Sequence, residues 1–143
     1  MTRLNNLALV ALTTMALGTV STTTASAATW HTGTPKALRG KFQDRHKTAA
    51  QGFATEYTFT AKKFLWGISN MPLQTHSRLR YRKLGAHVYR LKGHVAHRGI
   101  VLAMTRDYVI YKKGKTLKLT YYSDYRKMGF KKVPVAHQVT HFN

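Results

Sequence analysis

Cysteine is absent from the 143 residues, and acids are scarce: Asp44, Glu56, Asp107 and Asp124 are the only carboxylate side chains. Without cysteine there is no disulfide, no thiol nucleophile and no lipid-modified cysteine, so packing alone has to hold the fold. Four scattered acids do not suggest the carboxylate pair, about 5–10 Å apart, that glycosidic hydrolysis uses. In so cationic a chain they are expected to pair locally with cations. Ser69, Ser77 and Ser123 lie in no Gly-x-Ser-x-Gly turn. The isolated Gly67, Gly85, Gly93 and Gly99 read as turn or bulge residues rather than a phosphate-cradling loop. No catalytic residue and no cofactor is expected.

Long apolar runs are also missing, with one exception. Leu7 to Val20 is apolar, follows Arg3, and leads into STTTASAA. A run of about 14 residues falls short of the roughly 20 that span a bilayer. With the small residues behind it, the run reads as a secretory signal peptide. Ala25 and Ala27 fit the small-x-small rule, placing the cut after Ala27, with Ala28 as the close alternative. The expected organisation is a signal over 1–27 and one β domain over 28–143, with its core at about 36–122 and a C-terminal extension at 123–143. No transmembrane segment is expected in the mature chain, which should be secreted and associated with the cell envelope. Secretion without disulfides suits export from a Gram-positive bacterium.

Cations dominate. Lys and Arg number 24 against four acids, for a net charge of +20; loss of Arg3 with the signal leaves +19. Such a field draws polyanions. For an exported chain the first ones met are anionic cell-wall polymers and lipid headgroups, so these are the expected partners, and nucleic acid is not.

Period-two alternation recurs along the chain, and no dozen residues keep a helical apolar spacing. Leu38 and Phe42 share a side across Gly40. Phe53, Tyr57 and Phe59 align, as do Phe64, Trp66 and Ile68, then Leu79 and Tyr81, then Tyr89 and Leu91. GIVLAMT (99–105) is apolar on both faces and reads as the most buried strand. Residues 107–112 and 116–122 form a hairpin about Gly114. The tail from 124 reads equally as a last strand or a short helix. About eight short strands with a turn signal every 8–12 residues close most simply into an antiparallel up-and-down meander, a closed or partly open barrel. Phe53, Tyr57, Phe59, Phe64, Trp66, Leu79, Leu102 and Met104 would fill it.

TWHTGTPKALRGKF (29–42) resembles the start of small secreted cationic proteins of lactic-acid bacteria, and the likeness continues through TFTAKKFLWGI and LRYRKLGAHVYRLKG. The resemblance implies secretion and a β fold. A fainter one is to lipocalin-like barrels, whose first strand carries Gly-x-Trp. Gly40 matches, and Phe42 stands where that family has tryptophan. It implies a barrel able to carry a small ligand.

Two groups of residues remain as candidates for chemistry. His94 with His97, and His137 with His141, have spacings seen in metal sites. Gln138 stands where a zinc peptidase carries its glutamate, and no metal is expected. In SRLRYRKL (77–84), Arg78, Arg80 and Arg82 alternate with Leu79 and Tyr81, and Arg90 and Lys92 follow on the next strand. Side chains at i and i+2 lie on one face of a strand, about 7 Å apart. Guanidinium forks match phosphate oxygens. Arg78, Arg80, Arg82, Arg90 and Lys92 are therefore the candidate polyanion-binding set. Lys112, Lys113, Lys115 and Lys118 add to the basic surface.

Overall fold

The computed structural model describes residues 29–45 and 52–143, so the expected signal segment with Ala25, Ala27 and Ala28 lies outside the described residues. The chain forms an antiparallel eight-strand closed barrel with one extra strand, a meander in which sequence neighbours pair. Its order is β2 (Gly40–Asp44), β3 (Glu56–Phe59), β4 (Phe64–Gly67), β5 (Gln74–Gly85), β6 (Val88–Val95), β7 (Met104–Lys113), β8 (Thr116–Tyr121) and β9 (Ala136–Val139). β9 returns to β2 with Lys41 opposite Val139 and Asp44 opposite Ala136, which closes the ring. The extra strand, β1 (His31–Thr32), pairs with Tyr81 and Arg80 on the edge of β5 that β4 leaves free beyond His76.

Alternation fills the interior. Phe42, Phe59, Phe64, Leu79, Leu91, Tyr108, Ile110, Leu117 and Leu119 form the core, with Tyr57, Trp66, Tyr81, Tyr89 and Tyr121 packed around it. Phe59 and Phe64 stack at 4.4 Å, and Phe64 stacks on His76 at 4.6 Å. A 3-10 turn, Lys36–Leu38, closes the end that carries the β3–β4 turn. Leu38 is fully buried there, the Thr34 amide donates to the Ala61 carbonyl at 3.1 Å, and the Thr34 hydroxyl donates to the Thr60 carbonyl. On the outside, helix α1 (Tyr122–Met128) and Phe130 cover β7: Val109 faces outward between two core residues, yet is fully buried.

β5 carries a bulge that reverses its inward face. Gln74 and His76 point inward before it, Leu79 and Tyr81 after it, because the pairing with β6 shifts between Ser77 and Arg80. Arg78 absorbs the shift with φ +50°, a left-handed conformation that costs a non-glycine residue about 1–2 kcal/mol. Opposite the bulge, Gly93 faces inward. A Cβ there would lie 2.6 Å from Leu79 Cδ2 and 3.1 Å from His76 Cβ, so only glycine admits Leu79 to the core.

Three expectations need correcting. GIVLAMT is no buried strand: Ile100 is 73% and Leu102 66% exposed, and before Met104 only Val101 pairs, in an isolated bridge to Arg98. The eight-residue register of β6 with β7 ends at Val95 and Met104 and leaves 96–103 as a loop. For the same reason Leu102 and Met104 do not fill the barrel. Neither does Phe53, which precedes β3 and is exposed. The eighth barrel strand is β9, from the segment set apart as a C-terminal extension.

Candidate anion-binding surface

Arg80, Arg82, Arg90 and Lys92 stand on the outer face of β5 and β6, and Arg78 sits in the bulge beside them. Arg80 pairs across with Lys92, and Arg82 with Arg90. Placing like charges opposite one another is unfavourable unless something covers or neutralises them. The structure deals with the two pairs differently.

The Arg82–Arg90 pair is covered. β1 sets His31 beside Tyr81 and Thr32 beside Arg80; continuing that register puts Trp30 beside Arg82. The indole ring then lies 5.1 Å from the Arg82 guanidinium, 5.6 Å from that of Arg90 and 5.2 Å from the Lys92 ammonium. Arg90 also stacks at 3.5 Å on Tyr122, the first residue of α1. Asp107, its neighbour on β7, completes the clamp: Arg90 Nε donates to Oδ1 at 2.9 Å and Nη2 to Oδ2 at 2.6 Å. These charge-assisted bonds hold the guanidinium above its ordinary pKa, against the opposing effect of burial. The local pairing expected of the acids is realised at Asp107.

The Arg78–Arg80–Lys92 end stays open. With Gly93, His94 and Thr105, these three cations line a groove of about 280 Å³ across β5, β6 and β7, and no carboxylate is part of its lining. Arg78 and Arg80 are exposed. Lys92 spans the two regions, 3.7 Å from Asp107 Oδ2, with its side chain still 42% exposed. On its other side, Arg78 borders a smaller cleft shared with Lys62.

Inside the barrel, His76 is fully buried and neutral. Its Nδ1–H donates to the Phe64 carbonyl at 3.0 Å, so Nε2 accepts from the Tyr108 hydroxyl at 2.7 Å. Burial lowers its pKa to about 4. Burial likewise pushes the Tyr57 and Tyr108 hydroxyls well above their usual range. Trp66 Nε1, Gln74 Oε1 and Arg106 Nε, and on the outer face Arg82 Nε, are buried with no hydrogen-bond partner.

Among the described residues no group of three or more His, Cys, Asp and Glu side chains is placed to hold a metal. His137 lies on strand β9, not on a helix, so it shares no helical face with His141. No described helix is long and apolar enough to cross a membrane. The elements that sequence reasoning missed are Trp30, Tyr122 and Asp107 acting together, because their meeting depends on three separate pairings. No family model matches the chain, and neither a curated protein nor a solved structure matches it.

Proposed function

We propose that this is an exported, non-enzymatic cationic barrel that associates with phosphate-rich anionic polymers of the cell envelope. The observation that carries the reading is the groove of Arg78, Arg80, Lys92 and His94. It gathers three cations on a rigid sheet without a carboxylate in the lining, and arginine forks fit phosphate oxygens. The net charge of +20, or +19 without Arg3, supplies attraction at longer range. Binding to isolated Gram-positive cell walls tests it. It should be strong at low salt and vanish near about 1 M, where the Debye length falls to about 3 Å; undiminished binding at high salt would sink the reading. The triple variant Arg78→Gly, Arg80→Ala, Lys92→Ala should bind about tenfold more weakly. Removal of the exposed Lys113, Lys115 and Lys127 deletes the same charge and should do less. Equal losses would assign binding to the overall field rather than the groove.

A second reading, a small-ligand carrier, draws support from the unpartnered Trp66 Nε1, Gln74 Oε1 and Arg106 Nε on the inner wall, since buried polar groups ordinarily find partners. Quenching of Trp66 fluorescence by a panel of polar aromatic compounds, absent in Trp66→Phe, would favour it.

A further inference from the structure

The barrel end opposite the 3-10 turn carries most of the molecule's exposed apolar side chains. Phe53 precedes β3, Met71 and Leu73 lie between β4 and β5, and Ile100, Leu102 and Met104 lie between β6 and β7 or at its start. These segments touch. A Cβ at Gly99 would lie 3.3 Å from Pro72, one at Gly67 would lie 3.7 Å from the Phe53 ring, and one at Gly52 would meet the Ser69 side chain. Six of the nine large apolar side chains exposed among the described residues therefore share one rim. Apolar patches of this kind mark interaction sites, and among the described residues none of the six belongs to the core cluster.

Charge decides what covers the rim. The exposed Arg45, just past β2, and the exposed Arg98, within the Ile100 loop, stand at this end, where the two acids, Asp44 and Glu56, are half-buried. A second copy would bring another +20 chain against the first, which opposes apposition. An anionic bilayer brings the opposite sign, and it accepts apolar side chains from separate loop tips without needing a complementary groove. We infer that this rim inserts into the interfacial region of an anionic lipid bilayer, with Ile100 and Leu102 as its deepest anchors and Arg98 at headgroup level. Interfacial binding scales with buried apolar area plus attraction to anionic lipid, and each cation near such a surface adds about 1 kcal/mol. Ile100 and Leu102 do not line the Arg78–Arg80–Lys92 groove, so the two can be broken independently.

The test is co-sedimentation of the chain lacking residues 1–27 with phosphatidylglycerol-containing vesicles and with phosphatidylcholine vesicles, at low salt and at about 1 M. Binding is expected on the anionic vesicles, with a fraction surviving high salt. Ile100→Ser with Leu102→Ser should lower affinity at least about tenfold, in line with the loss of two apolar anchors, and make the remainder fully salt-reversible. Both positions are solvent-exposed, so the fold should stand, and circular dichroism checks it. Ile100→Trp should show a blue-shifted emission that brominated lipid quenches. Unchanged vesicle binding by the double serine variant, or no shift from the introduced tryptophan, overturns the inference. Failure of the wall-polymer reading looks different: the groove triple then leaves wall binding intact, while the serine variant still loses vesicles.

Discussion

Arg80 and Arg82 stand two residues apart on the outer face of β5, yet Arg80 is exposed while Arg82 lies half-buried beside the Trp30 ring. Each faces another cation across the ladder, Lys92 in one case and Arg90 in the other. The covered pair acquires a counter-ion in Asp107 and aromatic faces in Trp30 and Tyr122. The open pair acquires Arg78 and a groove, and reaches Asp107 and Trp30 only through Lys92. Identical side-chain chemistry thus becomes structural in one half and available in the other, and what separates them is the company supplied by β1, β7 and α1. A cationic stripe is a binding site only where the fold leaves it uncovered.

Both halves draw on strand β5, whose bulge follows directly on the buried His76. The largest expected effect comes from acid. His76 is neutral in the fold with a pKa of about 4 against 6.5 for the free group, and Arg106 nearby opposes its protonation further. Between those values the unfolded chain binds a proton that the native state refuses, so stability rises with pH and falls on acidification. The loss begins as pH drops through about 6.5 and reaches about 3 kcal/mol near pH 4. Denaturation midpoints for the wild type and His76→Gln across pH 4–7 would check it. The variant, if folded, should lose most of that slope; a flat wild-type profile would show that His76 is not the buried neutral base described.

Next in size is the counter-ion. Asp107→Ala leaves Arg90 half-buried without its two charge-assisted hydrogen bonds and should cost about 2 kcal/mol. Arg80→Ala, on the open half, should stay within about 0.5 kcal/mol of the wild type. Chemical denaturation of the two variants side by side tests the division directly. Equal costs would mean that the two halves do not differ in kind.

Trp30→Ala follows. Exposed cation–π contacts are worth about 0.5–1 kcal/mol, and three cations share this ring, so a loss of about 1–2 kcal/mol is expected. The variant also uncovers Arg82. The salt dependence of wall binding should then steepen, as a fourth cation becomes free to engage phosphate. A stability loss with no change in salt dependence would place Arg82 out of reach for reasons other than the indole.

Much of this barrel is legible in the sequence, because its strands are mostly two-faced. The alternation of Phe64 with Trp66, and of Tyr89 with Leu91, reports inward faces that the structure keeps. Alternation also places Arg80, Arg82, Arg90 and Lys92 on one outer face, as the ladder has them, whereas Arg78 sits in the bulge. The bulge was hidden because Arg-Leu-Arg-Tyr-Arg alternates without a break, while the phase change falls between the polar Gln74–His76 stretch and Leu79. GIVLAMT misled because apolar composition is local, whereas the hairpin register that leaves it as a loop runs through Val95 and Met104. The open and covered halves could not be told apart, because Trp30 reaches the sheet through a two-residue pairing about 50 positions away in sequence.

The smallest effect separates backbone from charge at the bulge in the open half. Arg78 holds φ +50°, a conformation that glycine adopts freely. Arg78→Gly removes a groove cation and relieves this strain, while glycine's greater freedom in the unfolded chain offsets part of the gain. Stability should hold or rise by less than about 1 kcal/mol. Affinity for wall polymer should fall about two- to fivefold, the worth of one exposed ion pair. Arg78→Ala lacks the same cation but keeps the strain, so it should match the glycine variant in affinity and fall below it in stability. If the two variants instead differ in affinity, the groove depends on the bulge's exact shape. If both bind as the wild type does, the open half is open without being used.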